Sequence, residues 1–468
     1  MARPLNSWWI KSGLGGPSAQ LMERLPRVVL SVLGYCFAFA LPAVIVSAMY
    51  FRNPVSWMIS WLVEENFLCD APTQGIGVHC FGDFHSVRLT LEQPSPWDNR
   101  LGGTPYLPLA LWPVALALEL TELGLGMQGA LIVFLIAVVA AAMTPAIWAA
   151  WKLRHRFPTG VVVCLAGGMT WPVFSLFDRG NVTAFIVPLL LVFIITLRQG
   201  PAWVAPTALV AIVMIRPQFL AIGALLLVVG RWRHLIYAVE GAIVAVPLSF
   251  IVWDSSNWVS NLRSWFDATS GWENFQSLQS NLPTNLAASR SLYRASGILN
   301  VLQDGFGDSV AEFVMNNARN IGILILLSTI AILFVGRSAV PLAPALVMIL
   351  GASIIFSSPT YMYYLSVGLL VAAVLLVPDS LHHGPGDRLS FFPRRLRTLW
   401  LSVTLLTVVI SLVPIPFALE RGRQSIGLEA AGPIWLLAWL VSAIVILTDF
   451  TAERTMPEIP DRTTQDSV

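Results

Sequence analysis

The strongest constraint on this chain is the recurrence of membrane-length apolar runs, each ended by a short basic, polar or proline-containing break. A helix rising about 1.5 Å per residue needs about 20 apolar residues to cross a hydrocarbon core roughly 30 Å thick. Runs of this kind begin at Val28 and recur as far as Leu447. Only 12% of the 468 residues are charged and 56% are hydrophobic, whereas a soluble domain carries about 25% charged residues. The expected fold class is an all-α polytopic membrane protein. A formal net charge of +2 gives no reason to expect nucleic acid as a partner; the expected surroundings are membrane lipids.

Basic residues cluster on the cytoplasmic side of such proteins, so they orient the runs. Arg3, Lys11, Arg24 and Arg27 place the arm 1–27 inside, and Val28–Tyr50, which ends without a convincing small-residue cleavage site, is expected as a retained first helix. The membrane domain then covers 28–450. A first outer loop takes 51–125, and within it Tyr106–Leu120, short and containing Pro108 and Pro113, is expected as a juxtamembrane helix. Spans are expected over Met127–Trp151, Gly160–Phe177, Val182–Leu197, Trp203–Ile215, Phe219–Val229 and Leu235–Trp253. A second outer loop takes 254–317, and spans over Ile321–Val335, Val340–Phe356, Tyr361–Val377, Leu399–Val413 and Ile434–Leu447 complete the domain. The polar tail 451–468 is expected to be cytoplasmic and disordered. The count is about twelve spans with both termini inside.

Within this scaffold the long polar segment 51–111 gathers Cys69, Asp70, His79, Cys80, Asp83, His85, Asp98 and Tyr106. It reads either as a working surface or as a solvated connection between spans. Cys36 and Cys164 lie inside apolar runs and behave as small hydrophobes. Cys69 and Cys80 lie in an oxidising compartment on this topology and are expected to form a disulfide, with two free thiols as the alternative. No metal is expected, because His79 and His85 with their neighbours match no regular zinc spacing. Trp57, Trp61, Trp97, Trp258, Trp265 and Trp272 are candidates for stacking on a sugar or for anchoring at the interface.

Ionisable residues near membrane depth are costly and tend to serve function. Asp178, Arg179 and Arg216 stand at helix ends on the same outer face as Asp83. An arginine suits a lipid phosphate, because its permanent charge sits on a planar fork. The plainer alternative is a local Asp178–Arg179 pair or a side chain snorkelling to the interface. Arg216 is the stronger candidate, since Pro217 breaks the helix beside it.

The segment Gly82-Asp83-Phe84-His85, followed by Pro105-Tyr106-Leu107-Pro108-Leu109, resembles the first outer loop of polyprenyl-phosphate-dependent glycosyltransferases of the GT-C fold. The resemblance is nearest to the actinobacterial glycosyltransferase family 87. Arg179-Gly180-Asn181-Val182 is similar to that family's Arg-Gly-Gln/Asn-Val-Asn turn, Arg216-Pro217 and Arg231-Trp232-Arg233 to its Lys-Pro and Arg-Arg-Trp-Arg elements, and Ser358-Pro359 to a late Ser-Pro turn. Leu107 stands for a proline of the pattern, Thr183 for an asparagine and Arg216 for a lysine, and Tyr361, Tyr363 and Tyr364 stand where a histidine follows the late turn.

The resemblance implies a GT-C-like bundle in the plasma membrane with an extracytoplasmic active site. It implies inverting transfer of mannose or arabinofuranose from a polyprenyl-phosphate sugar donor to a glycolipid or glycan acceptor, with no cofactor. Asp83 would be the catalytic base, Arg216 and Arg179 would hold the donor phosphate, and His85, Tyr106 and Asn181 would contact substrate. Asp70 and Asp98 are rival bases. The rival classes are a secondary transporter, for which symmetry between halves is expected and not seen, and a flippase for lipid-linked sugars. The topology is tested by single cysteines and an impermeant thiol reagent on intact cells: Asp83→Cys and Gln279→Cys should label. Strong labelling of Arg394→Cys, or silence at both outer positions until permeabilisation, would overturn it.

Overall fold

In a computed structural model the described residues run over 82–97, 106–153, 157–198, 200–280, 317–336, 341–355, 362–377, 394–413 and 426–455, with isolated positions elsewhere. Among them every regular element is helical and no strand occurs. Among the described residues four stretches are long and apolar enough to cross a membrane: Pro108–Ala142, Trp232–Trp253, Arg395–Leu412 and Ala430–Thr448. The chain is an all-α membrane protein. The expected first helix 28–50 falls almost wholly outside the described residues, as do Asp70, Cys69, Cys80 and their disulfide, His79 and Asp98.

The helices, numbered in order, begin with α1 (Gly82–Leu91) and α2 (Pro108–Leu120). The wide turn Thr121–Leu125 joins α2 to α3 (Gly126–Ala142). Gly124 (φ 94°) and Gly126 (φ 64°) turn the chain there and α2 packs against α3, so this apolar stretch is two helices rather than one straight span. Then follow α4 (Thr144–Lys152), α5 (Phe157–Gly168) and α6 (Trp171–Arg179). Two spans expected as unbroken are divided here, at Met143 and at Met169–Thr170. Pro145 and Pro172 have no N–H for the carbonyl four residues back, and nearby hydroxyls bond carbonyls at the two breaks. Thr144 Oγ1 donates to Ala141 O at 2.7 Å, and Thr170 Oγ1 to Gly167 O at 2.9 Å.

A tight turn of helix, Val182–Phe185, leads into α7 (Ile186–Thr196), which packs on α8 (Val204–Ile215). Another, Pro217–Gly223, leads into α9 (Ala224–Val228). Next is α10 (Trp232–Trp253), and the expected second outer loop begins with a helix of its own, α11 (Trp258–Ser280). Asp254 caps this junction: hydrogen bonds from Ser256 and Asn257 hold its carboxyl down at about 2. Helix α11 packs back on α10, buries Trp265 against Phe250, and meets the chain after α1 where Ser95 Oγ donates to Asn261 Oδ1 at 2.8 Å.

The remaining helices are α12 (Ala318–Gly336), α13 (Leu342–Ile355), α14 (Val367–Leu376), α15 (Arg394–Leu412) and α16 (Ile426–Thr455), with a short turn Met362–Ser366 before α14. Indole N–H groups buried among them each find a hydroxyl. Trp400 donates to Ser442, Trp435 to Ser411 and Trp439 to Thr329, at 3.0, 3.0 and 2.8 Å. An unsatisfied donor in such surroundings would cost several kcal/mol, roughly, so these pairs fix how the helices face one another. Because α16 runs to Thr455, the first residues of the expected disordered tail are helical; 456–468 lie outside the described residues.

The turn after α6 positions the candidate site. Asn181 N–H donates to Leu176 O and Gly180 N–H to Phe177 O, closing α6 through left-handed Gly180 (φ 58°). A Cβ on Gly180 would stand 2.9 Å from Phe84 Cβ, so α1 rests directly on this turn. Gly230 is also left-handed (φ 73°) but faces open space. Gly180→Ala should therefore lose about 1–3 kcal/mol more than Gly230→Ala, read as denaturation in detergent. Equal losses would mean that α1 does not press on the turn.

Candidate functional site

Asp83 lies in the first turn of α1, where the helix dipole favours a carboxylate. Reading 51–111 as a loop therefore needs correction at 82–91, which is helix. Arg179 ends α6, and the two side chains meet across 96 positions of sequence. Arg179 Nε donates to Asp83 Oδ2 at 3.0 Å and Nη2 to Oδ1 at 2.7 Å, the two-point geometry that suits a guanidinium to a carboxylate. The side chains of Arg179 and Asp83 are 28% and 19% exposed, so the pair is partly desolvated while still open to a ligand. The Arg179 guanidinium faces Asp83, and the Asp178 side chain of the expected local pair lies outside the described residues.

Asn181 completes the knot. It is fully buried, and both ends of its amide are used: Nδ2 donates to Asp83 Oδ2 at 2.7 Å, and Oδ1 accepts from Thr183 N–H at 2.7 Å, which also caps the turn Val182–Phe185. Burial by itself would raise the Asp83 carboxyl, but the Arg179 charge and hydrogen bonds, the Asn181 amide and the more distant Arg216 charge outweigh it. The carboxyl is held below its ordinary value of 3.8.

Arg216 reaches the same place from the end of α8. Pro217 forces the residue before it into extended backbone (φ −145°, ψ 100°), which ends the helix there. The guanidinium Nη2 donates to the Tyr106 hydroxyl at 2.9 Å, and Nε to Thr183 Oγ1 at 3.4 Å. Its central carbon stands 4.4 Å from the Tyr106 ring centroid and 5.8 Å from that of Tyr364. Among the described residues these partners are all neutral, so Arg216 keeps an uncompensated charge at close range, while that of Arg179 is matched by Asp83. The two arginines differ in kind.

Tyr106 is set from behind. Its carbonyl accepts from Trp97 Nε1 at 2.7 Å and its N–H donates to Thr104 Oγ1 at 3.3 Å. Trp97 is fully buried against Phe250 and Trp253, so it is scaffold rather than a stacking surface for a sugar.

Of the residues expected from sequence, Asp83, Arg179, Asn181, Arg216 and Tyr106 converge. His85 lies on α1, with its side chain outside the described residues. Thr183 and Tyr364 join the site without having been expected there; the signals were Thr183 standing for asparagine in the turn motif and the tyrosines after Ser358-Pro359. Among the described residues no group of three or more His, Cys, Asp and Glu side chains assembles as a metal site.

Comparison of the chain with protein-family models, with curated proteins and with solved structures gave no match. The functional reading rests on the site itself.

A carboxylate with a lowered folded value contributes stability in full above its unfolded value of about 3.9, and loses it as pH falls through the folded value. Asp83→Asn and Arg179→Gln should each cost about 1–3 kcal/mol at neutral pH. Wild type should also lose more of its unfolding free energy than Asp83→Asn on acidification below about pH 5. Identical acid profiles would show that the pair does not form.

Proposed function

We propose that the chain is an inverting glycosyltransferase that moves a sugar, mannose or arabinofuranose, from a polyprenyl-phosphate donor to a glycolipid or glycan acceptor. The observation that carries this reading is the convergence of one carboxylate with two arginines of unequal neutralisation, in a protein of the membrane. Transfer from a lipid phosphate needs a group to take the proton of the acceptor hydroxyl and cations to hold the phosphate as it leaves. Asp83 supplies the first. Arg216, held by neutral partners, supplies the main charge for the second, and Arg179 stands beside the base.

In direct displacement the acceptor oxygen attacks the anomeric carbon while its proton passes to Asp83. The carbon–oxygen bond to phosphate breaks with its electron pair on phosphate, and the anomeric configuration inverts. The topology that goes with this reading has about twelve spans in the plasma membrane, both termini inside and the site at the outer face. Tyr106 and Thr183 orient Arg216, and the exposed apolar flanks of α2 leave room for a polyprenyl chain alongside.

Transfer of labelled sugar from a polyprenyl-phosphate donor by purified protein tests the reading. Asp83→Asn should remain folded and lose about 100- to 10,000-fold in turnover, the range of a general base. Arg216→Ala should chiefly weaken the donor, and Arg216→Lys should keep substantial activity because the charge remains. Near wild-type transfer by Asp83→Asn, or loss of turnover in folded Asp98→Asn instead, would overturn the assignment of the base.

A further inference from the structure

We infer that Arg179 is an exchangeable partner: it holds Asp83 while the site is empty and passes to the donor's phosphate when the donor binds, so the base is released only with donor in place. The inference rests on the proposed transfer for the identity of the anion and goes beyond it in the order of events. A carboxylate whose two oxygens accept two bonds from Arg179 and one from Asn181 is well placed but poorly basic. As found, Asp83 is an unready base.

What readies it is visible in the unequal state of the two arginines. Arg216 brings an unmatched positive charge to the site, fixed by Tyr106, Thr183 and Tyr364, and so gives an anion its first foothold. An anion settled there lies within the field of both cations, since Arg216 already acts electrostatically on Asp83. Arg179 is the more movable of the two bonded groups: it is a long side chain, 28% exposed, on the last turn of its helix. Asn181 is buried, pinned at both ends, and stays with Asp83 to keep its orientation. Exchange therefore leaves the carboxylate aimed but less stabilised as an anion.

Formal charge follows the reaction. In the empty site Asp83, Arg179 and Arg216 sum to one positive charge, which a donor phosphodiester of one negative charge neutralises. After transfer Asp83 carries the acceptor's proton and is neutral, and the departing phosphate monoester approaches two negative charges, about −1.5 to −2. Arg216 and the released Arg179 then both face it. With Arg179 held on Asp83 throughout, the growing charge would meet only one.

Binding of farnesyl phosphate, a short polyprenyl monophosphate, to purified protein in nanodiscs tests the exchange without needing the sugar or acceptor. Asp83→Asn should tighten binding by about tenfold, because Arg179 no longer has to leave a carboxylate. Arg179→Gln should weaken binding, and in its background Asp83→Asn should change affinity little. Asp83→Ala repeats the cycle with no amide to compete for Arg179. An equal gain from Asp83→Asn with and without Arg179 would mean simple repulsion by the carboxylate and would overturn the exchange, as would no gain at all. Failure of wild type to bind farnesyl phosphate, or binding indifferent to Arg216→Ala, would remove the transfer reading and the exchange with it.

Discussion

The contact on which the site depends is the two-point bond between Asp83 and Arg179. One end belongs to a short polar helix, the other to the last turn of a helix packed among apolar elements, and the bond with its Asn181 partner ties the two. Gly180 makes the approach possible, since only a residue without Cβ fits at φ 58° against Phe84. The same few residues end α6, begin the next turn and orient the carboxylate. Disturbing any of them moves Asp83 relative to Arg216.

The legible part of the fold was the part governed by apolar length. Runs such as Leu235–Trp253 and Trp203–Ile215 became helices close to the expected limits, because burial in an apolar phase sets them and the backbone must satisfy itself. What composition did not show was the internal breaks at Met143 and Met169–Thr170, where the run stays apolar while Pro145 and Pro172 interrupt the hydrogen-bond ladder. Helix α11 was hidden for the opposite reason. Its polar face reads as loop until Trp265 is seen buried on Phe250.

At the site, residue type was legible and pairing was not. Arg179 and Arg216 stood out as charges that a membrane scaffold does not need, and Asp83 as a carboxylate on the same side. That Arg179 would be matched and Arg216 unmatched depends on which side chains reach across some 96 to 110 positions of sequence, a tertiary fact with no local signature. Asn181 shows the limit most clearly. Its type suggested contact with a substrate, yet both ends of its amide are committed to the protein.

An arginine held by tyrosine rings and hydroxyls differs physically from one held by a carboxylate. Aromatic faces and hydroxyl oxygens fix the direction of the Arg216 guanidinium without cancelling its charge, and a contact of this kind with a ring is worth about 0.5–2 kcal/mol. A carboxylate in the same position would orient it as well but would cancel most of its field. Arg179 has the opposite arrangement, a strong partner and little net field. On the proposed transfer, one cation would attract the phosphate and the other would be released to it, which would keep the base quiet until the phosphate arrives.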